Sequence, residues 1–403
     1  MDRRHFLRLA LGSAALTASW RLWSLPAGST DSRLILVFLR GAYDSLSAVV
    51  PYNDPFYYEA RPTLAIPRPN ARQQDSSILL DNRWALHPVL GDSLLPFWSS
   101  EQLAFVPFSG TGFVSRSHFQ AQDWVEFGLA PSDKKSVSTG FLNRLLVELK
   151  ASPMQQRGVS FTQALPPSLR GDISVANSPV RLAAAQNLDD SYEQLLLNLY
   201  QGHSLEKIVR EGLGLRQEIR QELKEEMVAA SRGAAPASGF ALDASRIGNI
   251  MQEHPEYNVG FVDIGGWDTH NNQGAVQGDL AKKLAGLGNG LDALASSLGD
   301  DWNKTLVVVI SEFGRTFREN GSKGTDHGHG STLWIMGGGL KGGRICGEQQ
   351  LLTAATLHEQ RDIPVLNEYR NVLGGLFAQL YGFNKANLER IFPQSNPVDL
   401  KLF

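Results

Sequence analysis

The chain has 403 residues, and its 38 Lys and Arg against 41 Asp and Glu leave a formal net charge of -3. That balance gives no electrostatic reason to expect nucleic acid or an anionic membrane surface as a partner. The single cysteine, Cys346, excludes an intramolecular disulfide and any cysteine-rich zinc or iron–sulfur site, so a metal has to be held by His and carboxylates.

The first segment reads as a targeting peptide. Arg3 and Arg4 stand just ahead of Phe6-Leu7, a small-residue apolar stretch runs to Trp20, and the segment leaves through Pro26-Ala27-Gly28. The stretch is too short and too weakly apolar for a permanent span, which takes about 20 consecutive apolar residues. A charged start, a short apolar middle and a small-residue exit are the layout of a cleaved signal, and the paired arginines resemble the twin-arginine (Tat) consensus. The expectation is a signal over residues 1–28 and export of the folded chain by the Tat translocon to the periplasm or beyond. The mature chain, 29–403, is expected to carry no membrane anchor.

The mature chain opens on Arg33 to Leu39, a continuous apolar run of the kind found in buried strands of parallel sheets. Further strand candidates follow at Gln102 to Phe108, Asn258 to Val262, Thr305 to Ile310 and Ser331 to Met336. Helical patterns lie between them, at Phe119 to Phe127, Phe141 to Lys150, Val276 to Leu298 and Tyr369 to Tyr381. The alternation predicts an α/β domain on a mostly parallel sheet, where ligands sit beyond the carboxyl ends of the strands. A charge-rich helical stretch and a Gly-Ala-Pro linker predict an insertion or cap around residues 178–239.

Metal-competent residues collect at those strand ends. Asp44 follows the first strand, Ser117-His118 the second, and Asp268 with His270 the third. Glu312 ends the fourth, and Asp326-His327-Gly328-His329 precedes the fifth. Imidazole with carboxylate suits Zn or Mn, so the expected ligands are Asp44, Asp268, His270, Glu312, Asp326, His327 and His329, around one or two divalent ions. Ser117 has two readings. Ser117-His118-Phe119-Gln120 satisfies the capping-box pattern, and a hydroxyl at a helix N-terminus beside a metal is also a potential nucleophile. Ser117, His118 and Arg315 form the expected catalytic set, with Arg315, Arg40 and Arg116 as candidate anion clamps.

Five segments together, Phe38 to Asp44, Ser117 to Asp123, Gly265 to His270, Ser311 to Thr316 and Gly324 to Gly330, resemble the "domain of unknown function 1501" family, as does Arg61 to Pro67. The family is similar in turn to the alkaline phosphatase and sulfatase superfamily, which implies a doubly wound sheet with one or two metals at the strand ends. The resemblance makes Asp44 the first metal carboxylate, Ser117 the neighbour of the nucleophile position, and Asp268, His270 and a late histidine one metal site. The superfamily pattern Asp-His is replaced here by Glu312-Phe313, which leaves either a single metal site or a second one completed by a residue such as His118. Neither Cys346 nor Ser117 has the flanking Pro or Ala and Arg that sulfatase chemistry needs. The implied function is an exported metal-dependent hydrolase of phosphate or other oxyanion esters. The alternative is a non-catalytic binding protein of the envelope on the same fold.

Overall fold

A computed structural model describes residues 32–130, 138–150, 158–180, 190–214 and 239–403. The twin-arginine segment lies outside them, as does part of the expected insertion, of which a helix at Asp190–Tyr200 is described.

The strands are β1 (Arg33–Leu39), β2 (Val49–Val50), β3 (Ile78–Leu79), β4 (Ala85–Leu86), β5 (Leu103–Gly110) and β6 (Gly158–Ser160). They continue with β7 (Ala176–Asn177), β8 (Val259–Ile264), β9 (Thr305–Ser311), β10 (Ser331–Met336), β11 (Arg344–Ile345) and β12 (Asn367–Glu368). A nine-stranded sheet runs in the order β11-β5-β10-β9-β1-β8-β6-β7, with β12 on β5, while β2, β4 and β3 form a small separate sheet.

β1 sits in the middle, parallel to β8 on one side and β9 on the other. All seven of its residues are buried because both faces are covered. Ile35, Val37 and Leu39 enter one core and Leu34, Leu36 and Phe38 the other. The period of two along a strand explains why an unbroken apolar run is needed here. The helices used below are α1 (His118–Phe127), α2 (Phe141–Glu148), α3 (Phe240–Glu253), α4 (Asp279–Leu298) and α5 (Tyr369–Tyr381). Apolar residues of α3 and α4 join the first core, and those of α2 and α5 the second.

β10 is antiparallel to both β9 and β5. Its amino end therefore lies at the same edge of the sheet as the carboxyl ends of β1, β5, β8 and β9. That single reversal lets the loop before β10 meet the loops that follow the other strands.

Candidate metal centre

Each functional segment is held by a local feature of the sequence. Gly41 follows β1 with φ +115°, and a Cβ there would stand 2.8 Å from the Asp268 backbone nitrogen. Only glycine fits that close approach, and its N–H donates to Glu312 Oε1 at 2.9 Å. Gly314 and Gly328 let two loops run back to back: a Cβ on Gly314 would meet the Gly330 carbonyl, and one on Gly328 the Arg315 backbone. The contact between these loops sets Arg315 opposite His327.

α1 contributes a stripe. His118, Gln122 and Glu126 are four residues apart and share one helix face. His118 Nδ1 lies 2.8 Å from Glu312 Oε1 and Gln122 Nε2 donates to the same oxygen at 3.0 Å. Glu126 pairs with Arg40 at 2.9 Å, and Arg40 also donates to Gln122 at 3.2 Å and to Asp263 at 2.6 Å.

Four donors converge. His327 Nε2 lies 2.9 Å from His118 Nε2, 3.1 Å from His270 Nε2 and 3.0 Å from Asp268 Oδ1. His270 Nε2 is 2.9 Å from Asp268 Oδ1, and His118 Nε2 is 3.5 Å from Asp268 Oδ2. The far nitrogen of each ring meets an acceptor: Glu312 for His118, Asp326 for His270 at 3.1 Å and the Arg116 carbonyl for His327 at 2.8 Å. A carbonyl or an ionised carboxylate only accepts, so each Nδ1 must carry the hydrogen. In the neutral rings, the Nε2 lone pairs of His118 and His327 and the Asp268 carboxylate then crowd one another, and His270 Nε2 adjoins that group through His327 and Asp268.

That crowding is repulsive unless a cation sits among them. Donors about 2.0–2.1 Å from a tetrahedral ion stand roughly 3.3 Å apart, which brackets the observed spacings. The outer acceptors are also the second shell that fixes metal-binding histidines and raises their basicity. The donor set therefore fits a divalent ion held by His118, Asp268 and His327, with His270 next to two of them as a further donor.

The electrostatics agree with this arrangement. The Glu312 hydrogen bond raises the His118 imidazole above its ordinary value. Burial pushes the Glu312 carboxyl up, but hydrogen bonds from His118, Gln122 and the Gly41 N–H more than offset it and hold it low. Burial likewise pushes Asp268 up, and Arg315 with His327 brings it below the usual range. Asp326 is lowered in the same way by Asn320 and His270.

The expected ligand set is redistributed. His270, His327 and Asp268 meet at the centre, and His118, expected as a catalytic residue, joins them as a donor. Glu312 and Asp326 hold histidines from behind instead of facing the centre. Asp44 is corrected too: its Oδ2 accepts from Arg61 at 2.6 Å, Gln273 at 2.7 Å and Ser47 at 2.8 Å. A buried guanidinium already compensates that carboxylate. His329 turns away to stack on His358, with ring centroids 4.8 Å apart, and burial pushes it down to about 4.

Arg315 is engaged on one side only, and its Nε and Nη1 have no hydrogen-bond partner among the described residues. Its side chain is fully buried and pairs with Asp268 at 2.9 Å, so it fixes the carboxylate from the protein side. Ser117 stands at the N-cap of α1 but makes no side-chain cap. Ser115 takes over the capping-box partners, accepting from the Ser117 N–H at 3.2 Å and donating to Gln120 at 3.1 Å. Phe313 is buried and stacks on the His118 ring at 5.0 Å, giving the centre an apolar wall.

Several positioning residues escaped the sequence reading. Gln122 could have been found from its spacing of four to His118. Asn320, which donates to Asp326 at 3.0 Å, and Arg61 and Gln273 around Asp44 had no spacing signal.

No curated protein matches the chain. Among solved structures, a crystal structure of Ps i-CgsB in complex with k-i-k-neocarrahexaose overlaps 91% of this chain and 75% of that one, at 9% identity and a TM-score of 0.38. The lipoteichoic acid synthase LtaP from Listeria monocytogenes overlaps 94% of this chain and 78% of that one, at 10% identity and a TM-score of 0.34. Residues 31–392 match the model of the family described as "Protein of unknown function (DUF1501)", and the chain belongs to that family.

Proposed function

We propose that the chain is a metal-dependent hydrolase of phosphate or other oxyanion esters, built on a doubly wound, alkaline phosphatase-like sheet. The observation that carries the reading is the convergence of three histidine Nε2 atoms and the Asp268 carboxylate at the strand ends. Three nitrogens and one carboxylate oxygen favour zinc, with manganese second. Phe313 leaves no second nitrogen beside Glu312, so one ion is expected per chain.

The metal supplies Lewis acidity toward the ester oxygen and lowers the pKa of an attacking hydroxyl or water. The chain's own residues do the rest. Arg315 and the three outer acceptors hold the ligands in place. The N-terminal N–H groups of α1, left without a side-chain cap from Ser117, favour an anion. The attacking oxygen comes from Ser117 or from water. Replacing Ser117 by Ala separates the two: with Ser117 as nucleophile, kcat toward an aryl phosphate or sulfate falls by at least about a hundredfold while metal content stays constant. Retained kcat assigns the attack to water.

A second reading is a metal-containing binding protein without turnover. The pairing of Arg40, Arg116 and Arg315 with carboxylates favours it, since each of these cations is already partly neutralised. Full metal occupancy with no hydrolysis of any oxyanion ester would select it.

The export reading, with residues 1–28 as a Tat signal and a helical insertion near 178–239, belongs to the same proposal. Among the described residues no helix is long and apolar enough to cross a membrane.

A further inference from the structure

A second feature lies on the other side of the loop that carries Asp268. Beyond the carboxyl end of β8, a cavity of about 630 Å³ opens between that strand, α3 and α4. This is within the range of small-molecule sites, roughly 300–1,000 Å³. Its lining carries Arg40, Arg170 and Lys283 with Asp243 and Asp263, and Lys283 is also paired with Asp279 one helical turn away. Arg40 spends Nε and Nη1 on Asp263, Gln122 and Glu126, and its Nη2 has no hydrogen-bond partner among the described residues.

The lining mixes polar and apolar residues, with Phe161, Phe240 and Leu287 among the apolar ones. Two glycines clear the space. Gly265 and Gly286 both line the cavity, and no described atom stands within 4 Å of a Cβ added at either. Gly286 sits inside α4, where glycine weakens a helix and where no close neighbour demands it. A residue that costs helix stability without relieving a contact makes sense if the room is for something else.

We propose that this cavity is a binding site for a ring-bearing organic monoanion, a carboxylate or oxyanion on a sugar- or aryl-sized body. Arg40 Nη2 takes the charge, Lys283 supports it by exchanging its half-exposed partner Asp279 for the ligand, and the apolar part of the lining, Phe161 and Phe240 included, takes the ring face. The site is independent of the metal centre and does not rest on the hydrolase reading.

The probe is phenyl β-D-glucuronide, with neutral phenyl β-D-glucoside as its control, titrated calorimetrically into the whole mature protein. The glucuronide binds, the glucoside binds at least about tenfold more weakly, and added salt weakens only the glucuronide. Gly286→Leu fills the cavity and loses binding without lowering the unfolding temperature. Lys283→Met, a change at a half-buried position, weakens binding at least about tenfold should Gly286→Leu fold poorly. His270→Ala binds as wild type does. No glucuronide binding by the wild type, equal binding of both probes, or undiminished binding by Gly286→Leu and Lys283→Met would overturn the proposal.

Discussion

Asp44 shows how a residue chosen for one task can be held by another. Both it and Arg61 are buried, and they face each other at 2.6 Å. Removing one member of such a pair strands the other charge and costs about 3–5 kcal/mol, so Asp44→Ala should lower stability by that order in a denaturant titration. The pH dependence follows from the same contact. Burial pushes the Asp44 carboxyl up, and Arg61 more than offsets it, holding the folded value below the ordinary one. A group lowered by folding stabilises above its unfolded value, and that contribution is lost as pH falls through the folded value. Wild-type stability should therefore drop in acid, below about pH 4, and the Asp44→Ala curve should be flatter there. Parallel curves would contradict the assignment. At this scale the site was partly legible. Asp268, His270 and His327 stand out because Asp and His beside glycines suggest ligands, whereas the outer acceptors are indistinguishable from ligands by residue type. Glu312 and Asp326 have ligand chemistry, and only the fold turns them toward the backs of rings.

α4 tests the logic of elements. Gly286 has no described neighbour within 4 Å of where a Cβ would lie, so Gly286→Ala should stabilise the protein by about 0.8–1.0 kcal/mol through helix propensity, read as a higher unfolding temperature. A loss of stability would mean that the position is sterically required. The strands with long apolar runs, β1, β5, β8, β9 and β10, were legible because burial on both faces leaves no polar residue to interrupt them. The direction of β10 was not, since an apolar run reads alike either way. The short strands β2, β3, β4, β6, β7, β11 and β12 have too few residues to show a period. α3 was missed as well; its apolar face directly follows a Gly-Ala-Pro segment that reads as a linker. Ser117 failed as a capping box for a local reason: Ser115, two residues earlier, competes for the same partners.

For the whole molecule, the proposed Tat export would link folding to transport. A centre assembled from loops after four strands and before a fifth exists only in the folded sheet, so a chain exported after folding can carry its metal with it. Replacing Arg3 and Arg4 together by Lys should leave the protein in the cytoplasm with its signal attached, and normal export of that variant would sink the Tat reading. The alternation of apolar strands and helices made the α/β class legible, and the strand-end rule pointed to the edge of the sheet where the candidate cluster lies. Neither could rank the candidates gathered there. The central proposal is a cation held at the His118–Asp268–His327 group, with His270 beside it. The most direct test is elemental analysis of the purified mature protein beside its His270→Ala variant. The account predicts roughly one equivalent of zinc or manganese per chain, lost in the variant. No metal in the wild type, even after reconstitution, or equal metal in both proteins, would contradict it.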